Sequence, residues 1–177
     1  MSEELKQKGL LENNWIGNIP VYSSNTKENG LLIGIDKKHI KENELFYQYC
    51  LTWSIDGYAG KLFVRNQNNA NNEQKDEFYF TINNHCGILI PRVDNLDLHF
   101  VELILQNKFF EKSKGYGNNK LGNNQINDID ISIPLDKNGN FDLDKQKEIA
   151  EKYEKIEKLK NNLIQELEEL EKIKVEI

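Results

Sequence analysis

The sequence predicts an α+β protein: one mixed, mainly β domain over residues 1–141, followed by a long C-terminal coiled-coil helix over residues 142–177. Three observations carry this. Branched and aromatic runs alternate with Asn- and Gly-rich turns through the first 91 residues. A helical stripe follows in LDLHFVELILQNKFFEKSK (96–114). Past Asp142 there is no Gly or Pro, while apolar residues recur every seven positions.

The elements follow in order. Residues 1–14 are polar, and IGNIPVYSSNTKENGLLIGI (16–35) gives two short strands around a loop whose Asn25, Asn29 and Gly30 tolerate positive φ. LFYQYCLTWSIDGYAGKLFVR (45–65) has the pattern of a β-hairpin, since Asp56-Gly57 splits two apolar runs. NQNNANNEQKDE (66–77) is a solvated, low-complexity loop, and FYFTINNHCGILIP (78–91) is strand-like again. Leu98, Val101, Leu105 and Phe109, widened by Phe100 and Ile104, fall three or four apart and predict a helix that Gly115-Tyr116-Gly117 ends. INDIDISIPL (126–135) alternates imperfectly and predicts a final strand, and Asn138-Gly139 a turn.

The last helix is capped by Asp142 or Asp144, either of which can accept from a free backbone N–H. Ile149, Ile156, Leu163, Leu170 and Ile177 lie seven apart, with Tyr153, Leu159, Leu167 and Ile173 completing the seam. Such a helix extends roughly 50 Å and cannot bury its stripe against one small domain, so it requires another helix.

Composition bounds the chemistry. A net charge of −6 argues against a freestanding nucleic-acid binder, so DNA contact requires local basic clusters. Nothing resembles a signal peptide or a membrane span, which predicts a cytoplasmic protein. Cys50 and Cys86 sit in apolar segments and are expected as reduced core thiols; His39 and His99 stand alone, so no metal site is expected. The three prolines, Pro20, Pro91 and Pro134, are isolated, which excludes the Pro-Pro-aromatic turn of an adenine methyltransferase. No Pro-Asp pair marks a Mg²⁺-dependent nuclease, and no P-loop exists. Gly115-Tyr116-Gly117-Asn118-Asn119-Lys120 has lysine where a dinucleotide loop needs its third glycine. In DKNGN (136–140) the glycine falls too early for a calcium loop. No catalytic residues are expected. Basic and aromatic side chains gather at Lys108, Lys112, Lys114, Tyr116, Asn118, Asn119 and Lys120, and again at Tyr58, Lys61 and Arg65. Lys and Arg neutralise phosphates, while Asn, Ser and Tyr can hydrogen-bond base edges.

Four stretches in order then resemble the specificity subunit of type I restriction–modification systems, and the recognition domains of related type II restriction enzymes. They are IPVYSSNTKENG (19–30), LTWSIDGYAGKLFVRN (51–66), FTINNHCGIL (80–89), and the long stretch from Asn118 to Lys160. In the last, Ile133-Pro134 leads into Gln146-Lys147-Glu148-Ile149-Ala150, which opens the family's long helix. The resemblance implies a target-recognition domain that reads a short half-site of double-stranded DNA, on a helix that spaces two half-sites. Catalysis would lie in partner subunits: methyltransferase subunits using S-adenosylmethionine, and restriction subunits using ATP and Mg²⁺. On this reading Ser23, Ser24, Asn25, Tyr58, Lys61, Arg65, Lys114, Tyr116, Asn118, Asn119 and Lys120 face DNA. Ile149, Tyr153, Ile156, Leu159, Leu163, Leu167, Leu170 and Ile173 form the dimerisation seam. A complete specificity subunit has two recognition domains and two long helices, and its lead-in before IPVYS is longer. The chain is therefore expected to be a half-subunit that homodimerises, or the recognition fragment of a larger restriction endonuclease. A coiled-coil protein-interaction adaptor is the alternative from another class.

Overall fold

The computed structural model describes residues 16–24, 27–46, 48–65, 79–114 and 120–172. Within them, six strands form two three-stranded sheets, and the architecture is α+β. The first sheet has the order β2 (Leu31–Ile35), β1 (Ile16–Tyr22), β5 (Thr81–Ile82). Strands β1 and β2 are antiparallel, and β5 adds in parallel through Val21↔Thr81 and Tyr22↔Ile82. The second sheet has the order β4 (Leu62–Arg65), β3 (Cys50–Ser54), β6 (Cys86–Leu89), antiparallel throughout. The strand-like run after residue 78 is thus divided between the two sheets. Its Asn83–His85 turn joins them.

Strand β3 is buried on both faces. Leu51 and Trp53 point into a core shared with Leu62, Leu98, Val101, Leu105, Phe109 and Leu121. The Trp53 ring meets Phe109 edge-on at 6.1 Å, and its indole N–H donates to the carbonyl of Leu121 at 2.9 Å. On β6, the indole fills the space where a side chain at Gly87 would stand, so glycine is required there. Cys50 and Cys86 are buried free thiols, and desolvation pushes them up to about 12 and about 11.

Helix α1 (Leu98–Lys114) presents the expected stripe of Leu98, Val101, Leu105 and Phe109 to this sheet. A short helix, α2 (Asn123–Ile126), follows. The strand expected over 126–135 does not form, beyond one bridge between Leu135 and Phe141. The alternation there has a different cause. Ile129, Ile131 and Ile133 pack against the core, and the Lys108 ammonium takes the Asp130 carbonyl at 2.8 Å. Period-two burial needs only an extended backbone over an apolar surface, with no sheet edge beside it.

Helix α3 (Leu143–Lys172) starts where Asp142 accepts from the Lys145 N–H at 2.9 Å, so Asp142 is the cap. Only its first two turns touch the head. Ile149 and Ala150 pack against the core, and the side chains from Glu151 to Leu170 are exposed. Gln146 is 0% exposed and locks this joint. Its Oε1 accepts from the Asp97 N–H at 2.9 Å, and its Nε2 donates to the Asn95 carbonyl at 3.1 Å. Asp97 in turn caps α1 by accepting from Phe100 N–H at 2.8 Å. Asn95 adopts φ 57°, which aims its carbonyl at the glutamine.

Gln146→Ala removes both bonds and strands two main-chain groups at a buried joint, which should cost about 2–4 kcal/mol. Urea unfolding checks this; a loss below about 0.5 kcal/mol, the size typical of a surface substitution, would contradict the lock.

Candidate nucleic-acid interface

Several segments distant in sequence meet at the C-terminal end of α1, away from the joint with α3. The hairpin turn of β3–β4 is brought there by Gln106, which clips it to α1. Its Oε1 accepts from Leu62 N–H at 3.1 Å, and its Nε2 donates to Gly60 carbonyl at 2.8 Å. Gly60, at φ 88°, leaves no room for a Cβ, which would lie 2.9 Å from the Phe109 carbonyl. This close approach sets Tyr58 edge-on against Phe110 at 5.6 Å, with the tyrosine still 60% exposed. Gly57, Tyr58, Ala59, Phe110, Ser113 and Lys114 line a shallow cleft of about 270 Å³.

Two further segments join this end. Leu121 N–H donates to Ile55 carbonyl at 2.7 Å, so Lys120 stands beside the hairpin turn. The 22–24 and 83–85 segments are stitched through Asn83. Its main-chain N–H donates to Tyr22 carbonyl at 2.9 Å, its Nδ2 to Ser23 Oγ at 2.7 Å, and its Oδ1 accepts from His85 N–H at 3.0 Å. Ser24 Oγ lies 3.8 Å from the position a Cβ would take on Gly57. His85 Nδ1 meets the Asp56 carboxylate at 2.5 Å.

Of the residues expected to face DNA, Ser24, Tyr58, Lys114 and Lys120 therefore share one end of the head. Ser23 lies beneath them, buried and used as an acceptor by Asn83. Lys61 stands at the start of β4, half-buried, its ammonium 5.5 Å from the Phe63 ring. Asn25, Tyr116, Asn118 and Asn119 lie outside the described residues. Of the other lysines in the basic run, Lys112 pairs with Asp128 at 2.8 Å and Lys108 is held by the Asp130 carbonyl. That leaves Lys114 and Lys120 as the run's lysines whose ammonium makes neither an ion pair nor a hydrogen bond among the described residues. Sequence reasoning missed Asp56 and His85 as a pair. Only the Asn83-Asn84-His85 turn, between two strand-like runs, hinted at it.

Arg65 corrects an expectation. It is only 4% exposed and lies between the two sheets, away from the exposed end that carries Tyr58. Its Nε donates to Thr52 Oγ1 at 2.8 Å, and its guanidinium stacks 3.5 Å over the Tyr22 ring and 5.0 Å from that of Phe63. Desolvation by burial lowers its pKa from the usual arginine value, with Tyr22 opposing. The strand alternation that puts Leu62 towards α1 puts Arg65 between the sheets. Its contacts join the two sheets.

The first residue of the expected helix seam meets the head. Ile149 is half-buried and packs against the head's core. Tyr153, Ile156, Leu159, Leu163, Leu167 and Leu170 stay 50–63% exposed, a continuous apolar stripe on α3. Ile173 lies outside the described residues. Among the described residues no three His, Cys, Asp or Glu side chains converge as a metal site would require, and no helix is long and apolar enough to cross a membrane.

A family model for the type I restriction–modification DNA specificity domain matches residues 2–171. The chain belongs to that family. It is also 30% identical over 162 residues, or 89% of its length, to a protein of Mycoplasma pneumoniae described as a putative type I specificity subunit. The match takes in 56% of that relative's own length, so the chain spans about half of it. A specificity domain serves to select DNA sequence.

Arg65→Ala should lower stability by about 2–4 kcal/mol, because it removes a buried hydrogen bond and an aromatic stack and leaves a gap between the sheets. DNA sequence preference should stay the same. Urea unfolding and selection from a random duplex pool measure the two effects; altered preference at unaltered stability would restore Arg65 as a reader.

Proposed function

We propose that this chain reads one half-site of a bipartite DNA sequence for a restriction–modification enzyme, and that its α3 stripe pairs with a second copy to hold two heads at a fixed spacing. The observation that carries the reading is the gathering of Ser24, Tyr58, Lys114 and Lys120 at the end of α1 remote from the α3 joint. A head built this way can enter a groove at one end while the other stays fixed to its spacer. Two identical heads related by a two-fold axis would read identical half-sites.

The chain contributes selection and no bond chemistry on this reading. Adenine methylation would fall to methyltransferase subunits carrying S-adenosylmethionine, and cleavage to restriction subunits using ATP and Mg²⁺, all in the cytoplasm. The net charge of −6 fits this division, because partner subunits would supply much of the phosphate contact. The same acidity favours one rival, a coiled-coil adaptor whose head binds protein. Failure to bind DNA with methyltransferase subunits present would support the rival.

Lys114→Ala with Lys120→Ala should weaken binding similarly for all sequences. The slope of log affinity against log salt should fall by about one unit for each phosphate that the lysines neutralise. An unchanged slope, measured by fluorescence titration at several salt concentrations, would remove both lysines from the interface. Ile156→Asp with Leu163→Asp should convert a dimer to a monomer in sedimentation, because each places a charge in an apolar seam. An unchanged mass would refute the seam.

A further inference from the structure

We propose that His85, oriented by Asp56, reads a base: its Nε2 accepts a hydrogen bond from the exocyclic amino group of an adenine or a cytosine in the major groove. The inference rests on the DNA-reading function proposed above and names a contact within it.

The turn that carries His85 is built to hold it still. Asn83 is buried and binds both the β1 end and the His85 main chain, and Cys86 N–H closes the turn on Asn83 carbonyl at 3.2 Å. The His85 carbonyl accepts from Ile55 N–H at 2.9 Å, which ties this turn to the β3–β4 turn. The imidazole is then fixed from one side by Asp56 and remains 48% exposed on the other. Sites that read sequence need such support, because a side chain that wanders discriminates poorly.

The Asp56 contact decides what the exposed nitrogen can do. An ionised carboxylate only accepts, so Nδ1 carries the proton in this pair. In the neutral ring Nε2 is then a bare acceptor, and no hydrogen bond engages it among the described residues. A bare acceptor cannot bind a phosphate oxygen, nor guanine N7 or O6, nor thymine O4, all of which accept as well. It fits the amino groups that adenine N6 and cytosine N4 present in the major groove.

Position favours the same ligand. Asp56 precedes Gly57, which neighbours Ser24 on one side and the Tyr58 cleft on the other. Lys114 and Lys120 belong to the rim of this end. A carboxylate inside such a rim would repel phosphate, and its histidine partner turns that acidic spot into a directed acceptor.

The test selects bound duplexes from a random pool, using the full chain with the subunits that purify with it. The unmodified protein should prefer adenine or cytosine at one position. His85→Ala should lose that preference about tenfold while leaving other positions unchanged. Asp56→Asn keeps a link between the turns but can donate to Nδ1. The ring proton then moves to Nε2, and preference at that position should shift towards guanine or thymine. If either variant keeps its unfolding midpoint and every base preference, the pair only ties two turns and the inference is overturned. Equal weakening for all sequences with a shallower salt slope also overturns it, since His85 then contacts phosphate. Should His85→Ala fail to fold, Asp56→Asn still decides the question. If the unmodified protein selects no sequence at all, the proposed function falls and takes this inference with it.

Discussion

Helix α1 is packed along its length and engaged at both ends. Its stripe of Leu98, Val101, Leu105 and Phe109 fills one face of the β4-β3-β6 sheet, and the first turns of α3 dock against the same core. Its N-terminal end is fastened to α3 through Asp97 and Gln146. Its C-terminal end carries Phe110, Ser113 and Lys114 into the cleft beneath Tyr58. Seventeen residues at 1.5 Å each make a strut of about 25 Å. The distance and angle between the Tyr58 end of the head and α3 therefore depend on one rigid element.

The rest of the head serves the outer end of that strut. Arg65 joins the two sheets through Thr52 and Tyr22, so the β1 end is held against the hairpin sheet. Asn83 then fastens the β1 end to the His85 turn, while Ile55 donates to the His85 carbonyl and accepts from Leu121 N–H. Buried hydrogen bonds such as Arg65 Nε to Thr52, and those of Asn83, are costly to lose and restrict the alternatives. Here they fix loops, which are ordinarily the least ordered parts of a surface.

The sequence made the large elements plain and the small contacts opaque. Periodicity alone located α1, because its core face repeats every three or four residues, and Asp56-Gly57 marked the hairpin turn. The same logic misassigned 126–135, since Ile129, Ile131 and Ile133 alternate for a surface and not for a sheet. Arg65 looked like a phosphate or base contact because local composition cannot say which face of a strand meets a second sheet. Ile149 kept perfect heptad spacing yet belongs to the head, because spacing does not reveal where a helix leaves its domain. The Asp56–His85 pair spans 29 positions and had no local signature.

Hydrogen exchange by mass spectrometry, with and without a duplex carrying the recognised sequence, tests the central claim most directly. Addition of DNA should slow exchange in the 55–60 and 83–86 turns and in the last turn of α1. The joint around 93–97 and the exposed length of α3 should be unaffected. Protection confined to α3 or to the joint, with the α1 C-terminal end unchanged, would contradict the account.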